Sequence, residues 1–254
     1  MERHSLKISF VIPAYNEEAY IYKCLQSIFK EIKKGSYNVE IIVVNNSSTD
    51  KTRDIAQSFP NVIVIDEPHK GVTWARQAGF LVSSGDVIVQ LDADTMLPEG
   101  WIEKAMEEFR RDPNLVALSS GLIIFYDLPK VTNSLVHLYY YFAYILYLLN
   151  RFVLNTGSML QGANAIIRRT ALKEINGYNM NYNFYGEDTD LARRLHKVGK
   201  VKFTLKFPTY TSGRRLAKEG IIIMGSKYAL NYIWAIFLKK PFTKNFRDIS
   251  QKNV

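Results

Sequence analysis

Val39-Glu40-Ile41-Ile42-Val43-Val44 runs without a break into Asn45-Asn46-Ser47-Ser48-Thr49-Asp50. An apolar run of this length, ended by polar turn residues, is a buried strand. Those turn residues are also helix caps, so a helix is expected from about Lys51. The same unit recurs on both sides. Ile8-Ser9-Phe10-Val11-Ile12 is a strand stopped by Pro13, and residues 17–33 place Ile21, Leu25, Ile28 and Ile32 on one helical face. Residues 62–65 read as a third strand, 71–82 as a third helix and 86–91 as a fourth strand. Pro98 then suits the first turn of a helix reaching Arg110. Strands alternating with helices of this length call for right-handed crossovers, and so for an α/β, doubly wound, mainly parallel sheet flanked by helices.

The later half is less regular. Residues 115–126 read as one long strand or a strand pair, and residues 163–167 as a strand. Asn176-Gly177 reads as a helix C-cap and turn. Residues 187–198 read as a helix with acids first and bases last, matching the macrodipole.

In doubly wound sheets ligands bind beyond the carboxyl ends of the strands. Residues 13–17, 45–50 and 92–94 all lie at such ends, so three polar loops converge on one crevice. Two acidic clusters then define the chemistry. Asp92-Ala93-Asp94 follows the fourth strand, and carboxylates one residue apart on an extended chain lie on the same side. That arrangement suits holding a hard cation against a phosphate. Gly186-Glu187-Asp188 opens a helix, where a carboxylate suits a general base. Together they suggest cation-assisted transfer of a group from a diphosphate donor.

Five segments carry a family resemblance. They are 11–17 (Val-Ile-Pro-Ala-Tyr-Asn-Glu), 43–50 (Val-Val-Asn-Asn-Ser-Ser-Thr-Asp), 71–76 (Gly-Val-Thr-Trp-Ala-Arg), Asp92-Ala93-Asp94 and Gly186-Glu187-Asp188. Each is weak alone, but in this order over roughly residues 7–215 they resemble the inverting glycosyltransferases of family 2, whose fold is GT-A. The resemblance implies a metal-dependent hexosyltransferase moving a sugar from a nucleoside-diphosphate sugar to an acceptor hydroxyl. Pro13, Ala14, Tyr15 and Glu17 would frame the base and ribose. Asp94 would bind Mn²⁺ or Mg²⁺, Asp92 would sit nearer the ribose or sugar, and Asp188 would take the acceptor's proton. Arg76 would approach the nucleotide or form a surface salt bridge. Residues 7–125 would form the nucleotide-sugar half of a catalytic domain 1–215, and residues 126–215 the acceptor half.

The chain departs from the family at two places. Asn45-Asn46 replaces a common acid; an amide keeps an acceptor for a base N–H, which leaves uridine plausible. The Gln-x-x-Arg-Trp motif of processive synthases is absent, so a single addition is expected. Ser212-Gly213-Arg214-Arg215 stands in its region, where Arg214 and Arg215 either grip a phosphate or begin the basic tail.

The net charge is +9, and it is unevenly placed. From Arg214 onward nine basic residues face two acids, Glu219 and Asp248, around the apolar run 221–238. A basic apolar extension over 216–254 suits an anionic membrane surface better than nucleic acid. Residues 135–154 are long enough to cross a bilayer, yet a crossing would separate Asp94 from Asp188. An internal helix with one face on lipid or acceptor is expected instead. The lone Cys24 and the absence of a legible cleavable leader suggest a cytoplasmic protein, peripheral on the inner face of the membrane, with a lipid-linked or membrane-associated glycan as acceptor. Two alternatives remain at this stage. A nucleotide-sugar binder without turnover draws on Asn45-Asn46. A sugar-phosphate nucleotidyltransferase shares the sheet but needs a glycine-rich loop that residues 13–16 lack. No Gly-x-Gly-x-x-Gly follows any strand, which excludes a nicotinamide dehydrogenase.

Overall fold

The computed structural model describes residues 6–120, 122–154 and 159–243. Gly121 and the tail residues Lys244, Arg247, Asp248 and Lys252 lie outside them. Elements are numbered along the chain. The central sheet contains β1 (Ile8–Ala14), β2 (Val39–Asn45), β3 (Val62–Asp66), β4 (Val87–Leu91), β6 (Leu115–Ser120), β8 (Asn164–Arg168) and β9 (Lys200–Thr204). Its order is β3-β2-β1-β4-β8-β6-β9. Strand β8 is antiparallel to both neighbours, and the other six strands run one way.

The helices are α1 (Ile21–Ile32), α2 (Thr52–Gln57), α3 (Val72–Val82), α4 (Trp101–Arg111), α5 (Lys130–Leu149), α6 (Arg169–Glu174), α7 (Glu187–Leu195), α8 (Arg214–Glu219) and α9 (Ile221–Phe237). A π-helical turn, Asn150–Leu154, extends α5. The alternation of strand side chains splits the core in two. Phe10 and Ile12 pack with Ile21, Leu25, Trp101 and Ile102 on one face, while Val11 and Ile42 pack with Ala75, Phe80, Leu191 and Leu195 on the other. Burial of each of these large side chains contributes about 1.5–3 kcal/mol.

The first helix starts at Ile21 rather than at residue 17, for a specific reason. Asn16 is left-handed (φ 53°), the Glu17 amide donates to Thr52 Oγ1 (2.7 Å) and the Glu18 amide to Asp50 Oδ2 (3.1 Å). The β1 and β2 loops are thereby laced together before any helix begins. The fourth helix likewise begins past Pro98, at Trp101, where Glu31 of α1 accepts from the amides of Gly100 (3.1 Å) and Ile102 (3.4 Å). Residues 115–126 split between two sheets. The second part, β7 (Ile123–Phe125), joins β5 (Thr95–Met96) and β10 (Thr209–Thr211) in a small sheet of order β5-β10-β7. Residues 196–198 leave α7 as turns. A division at 215/216 would cut α8, whose Leu216 is buried with Ile123, Phe125 and Val136. Among the described residues no helix is long and apolar enough to cross a membrane; the tyrosines of α5 lower its hydropathy despite its length.

Glu40 clamps the far end of β1 and β2. It accepts from Ser9 Oγ (2.5 Å), the Ser84 amide (2.6 Å), Ser84 Oγ (2.7 Å) and Lys7 Nζ (3.0 Å). Burial works to raise its pKa, but these donors hold it at about 2, below the ordinary 4.5. The Glu40→Gln variant is expected to lose about 1–2 kcal/mol of stability at neutral pH. Because the folded value lies below the unfolded one, that difference is full above pH 4.5 and fades as pH falls toward 2. Urea unfolding at neutral and acid pH measures it.

Candidate active site

The carboxyl ends of β1, β2 and β4 meet at one edge of the sheet, and there Asp92 and Asp94 follow β4. Asp94 is nearly buried. Burial pushes its carboxyl up to about 7, with Glu17 and Asp92 adding and Arg214 opposing. Arg214, from the start of α8, donates to Glu17 Oε1 and lies 3.2 Å from Asp94 Oδ2. Its guanidinium also sits 4.5 Å from the Tyr20 ring centroid. One arginine thus ties the loop after β1 to the loop after β4. Glu17 Oε2 is buried without a hydrogen-bond partner among the described residues, and burial raises that carboxyl against the pull of Arg214.

Arg76 of α3 makes the second tie. It is 2% exposed, so it forms no surface salt bridge. Nη2 donates to Asp92 Oδ1 (3.1 Å) and Nη1 to Glu187 Oε1. Gly162 leaves room for this pair, since a Cβ there would meet Glu187 Oε1 at 2.7 Å and Arg76 Nη2 at 2.9 Å. Burial pushes Glu187 up to about 7 against the attraction of Arg76.

The three acids that open α7 have separate fates. Glu187 is held by Arg76, and buried Asp190 is held by Arg193 and Arg194, each at 2.7 Å. Asp188 has no ion pair among the described residues. Its Oδ1 accepts from the Thr189 amide (2.7 Å) and Thr189 Oγ1 (3.4 Å), which leaves Oδ2 without a hydrogen bond there. Burial raises its pKa, opposed by the Thr189 amide and by Arg76. Gly186 places this end of the helix at φ 80°, with α9 against it: a Cβ would lie 3.4 Å from Ala235 Cβ.

Near the sheet's outer strands, Tyr15 Oη accepts from Lys70 Nζ (3.0 Å). Pro13 and Ala14 end β1 in register with Val44 and Asn45. Asn45 donates to Asp66 Oδ1 (2.8 Å). Asn46 donates to the carbonyls of Glu67 (2.9 Å) and His69 (2.7 Å) and accepts from the Gly71 amide (2.8 Å). Both donors and the acceptor of Asn46 are spent on backbone. Sequence reasoning overlooked Glu187 as the partner of Arg76, Tyr20 under Arg214, and Tyr140 and Tyr228 beside Asp188. The charge of Asp188 adds to the burial that raises the pKa of both tyrosines. Only the short step from Glu17 to Tyr20 carried a local signal.

The family model for glycosyl transferase family 2 matches residues 9–176. This chain belongs to glycosyl transferase family 2. A second model, for the N-terminal domain of galactosyltransferase, matches residues 153–215 and takes in Asp188 and Arg214. Similar proteins include a glycosyltransferase of Streptococcus pneumoniae, 33% identical over 113 residues, covering 42% of this chain and 16% of that protein. A dolichyl-phosphate beta-glucosyltransferase of Trichomonas vaginalis is 37% identical over 100 residues, covering 35% of this chain and 31% of that protein. The matched part of the chain therefore spans less than a third of either relative. Among solved structures, the mannosyltransferase from Pyrobaculum calidifontis in complex with GDP-Man and Mn²⁺ superposes with a TM-score of 0.65 at 18% identity, covering 93% of this chain and 64% of that one. TarS 1–349 of S. aureus, in complex with UDP-GlcNAc, gives 0.59 at 15%, covering 82% and 58%. The mainly parallel sheet flanked by helices is thus the GT-A fold.

The acids after β1 and β4 are the hard oxygen donors a divalent cation would use, with Arg214 already placed against Glu17 and Asp94. Asp92, Asp94 and Glu17 offer hard oxygen donors, and one buried carboxylate oxygen of Glu17 lacks a partner among the described residues. Among the described residues no group of three or more His, Cys, Asp or Glu would hold a metal by itself, so phosphate oxygens would have to complete the shell.

Proposed function

We propose that this chain transfers a single sugar from a nucleoside-diphosphate sugar to an acceptor hydroxyl, with inversion at the anomeric carbon and with Mn²⁺ or Mg²⁺. The observation that carries this reading is the Asp92–Arg76–Glu187 bridge, which joins the acids after β4 to the acids opening α7. The bridge supports a reading in which the donor-side acids and the candidate base, Asp188, serve one site. Two solved neighbours hold GDP-Man and UDP-GlcNAc, which supports a nucleotide-sugar donor.

In this reading residues 7–125 hold the donor and residues 126–215 the acceptor. Pro13, Ala14, Tyr15, Glu17 and Asn45 surround the base and ribose, while Asn46 acts indirectly by fixing the loop to Gly71. Asp94 holds the cation, which when bound neutralises charge on the leaving nucleoside diphosphate. Arg214 adds a guanidinium beside the same phosphates. Asp188 Oδ2 accepts the acceptor's proton as its oxygen bonds to the anomeric carbon and the bond to the diphosphate oxygen breaks. One displacement with one base inverts the centre. Membership of the family removes the nucleotidyltransferase alternative, and the hydrogen bonds of Asn45 and Asn46 give those amides a structural role that needs no loss of turnover. The acceptor in this reading is a lipid-linked or membrane-associated glycan, and the dolichyl-phosphate enzyme among the relatives supports the lipid-linked form.

A thermal-shift screen of UDP, GDP and their sugars with Mn²⁺ tests the reading, followed by donor turnover. Stabilisation by at least one nucleotide sugar, with release of its diphosphate, is expected. No shift with any donor would overturn it. Asp94→Ala is expected to weaken donor binding about tenfold or more in the presence of Mn²⁺ and to leave little metal dependence. Equal donor affinity with and without Mn²⁺ in the unsubstituted chain would contradict the role of Asp94.

A further inference from the structure

Exposed apolar side chains are concentrated in two places. Of the 25 large ones exposed among the described residues, eleven lie on α5 and its π-helical turn, and eight on α9 and the residues that follow. Helix α5 turns Val136, Ala143 and Tyr147 inward, with Tyr147 against Phe203 of β9, and leaves Leu138 (67% exposed) and Phe142 (60%) outward. Helix α9 buries Asn231 and Ala235 and leaves Ile222 79% exposed. Tyr140 of α5 and Met224 of α9 pack on one cluster, that of Ile123, Phe125, Val136 and Leu216. Helix α9 adjoins the opening of α7, where a Cβ on Gly186 would lie 3.4 Å from Ala235 Cβ and the Tyr185 ring is 5.6 Å from that of Tyr228.

Charge distinguishes the occupants of such a face. Residues 130–154 and 220–243 contain no Asp or Glu, but they carry Lys130, Arg151, Lys239 and Lys240, besides Lys227, which pairs with Glu219 at 2.6 Å. A second copy across a two-fold axis would set these cations against one another. An anionic bilayer complements them, and since neither helix is long and apolar enough to cross it, apolar faces of this kind belong at its interface.

We propose that the outer faces of α5 and α9 form one docking surface for an anionic lipid bilayer, with the Asp188 end of α7 opening between them at headgroup level. The acceptor would then reach the base from the lipid side. That last point rests on the transferase reading above; the docking itself does not.

Sedimentation of the full chain with vesicles tests the docking. One set contains phosphatidylcholine and phosphatidylglycerol in equal amounts, and the other phosphatidylcholine alone. The chain is expected to partition onto the anionic set. Leu138→Glu and Ile222→Glu are each expected to lower that partitioning about tenfold or more, with donor hydrolysis unchanged. Replacing Lys239 and Lys240 by Ala is expected to cost about fivefold for each lysine on anionic vesicles and nothing on neutral ones. Three outcomes would overturn the proposal. They are a chain that stays in the supernatant with both vesicle sets, glutamate variants that bind as well as the parent, and a dimer in solution that the same variants dissociate. Loss of donor hydrolysis in the parent chain would instead count against the transferase reading and leave the vesicle result standing.

Discussion

Asp188→Asn is expected to cut turnover by about a hundredfold or more and to leave donor affinity almost unchanged. The substitution keeps the size of the side chain and an oxygen to accept from Thr189, so the start of α7 should hold its shape. It removes the one carboxylate of the three that has no ion pair among the described residues. In the proposed reading donor binding rests on Asp94 and Arg214, which Asp188→Asn leaves in place. Burial raises the Asp188 pKa above its ordinary 3.8, so the parent enzyme should lose rate as pH falls through that raised value. The acid limb should disappear from the residual activity of the variant. Isothermal titration with the donor and initial rates across pH measure both effects. A variant with full turnover would remove Asp188 as the base.

Arg76→Met is expected to destabilise the fold by about 3–5 kcal/mol, because it leaves a buried carboxylate without its partner. Glu187 bears nearly all of this cost. Asp92, whose side chain is 38% exposed, regains water and adds little. The sign of the pH dependence follows. Burial already holds the folded pKa of Glu187 at about 7, above the ordinary 4.5, and removal of Arg76 would raise it further. The penalty should be smallest below pH 4.5, where the carboxyl is neutral in both states, and should grow as pH rises through 7. Denaturant unfolding at several pH values measures this. The Glu187→Gln background should recover part of the loss, since a neutral amide is less costly to bury. A loss under 1 kcal/mol across the range would mean that Arg76 is not the internal tie described above.

Local chemistry made the first half of the fold legible. The strands of residues 8–12, 39–44, 62–65 and 86–91 announced themselves as apolar runs between turn residues, and β1 to β4 follow them closely. Strand β5, with two residues, and β10, with three polar-rich ones, had no such signal. They exist because β7 and the segment after β4 offer partners, which is information held far away in the sequence. The site divides in the same way. Asp92, Asp94 and Asp188 stood out by residue type and position. The pairing of Arg76 with Glu187 spans 111 positions and depends on the crossing of α3 and α7. Arg214 read either as a phosphate grip or as the first residue of a basic tail, and only the turn after β10 brings it to Glu17 and Asp94.

One polar residue gives α9 a fixed rotational phase. Asn231 sits in the middle of a greasy rod, donates to the Lys227 carbonyl and Thr243 Oγ1 (both 2.8 Å), and accepts from the amides of Phe242 (3.0 Å) and Thr243 (2.9 Å). A cylinder coated evenly with isoleucine and leucine could roll about its long axis at little cost. The three directional bonds to residues 242–243 resist that rolling, the fourth lying within the helix itself. They clock the rod, so that the same stripe of side chains always looks away from the protein and the returning strand of chain is sewn to the opposite flank.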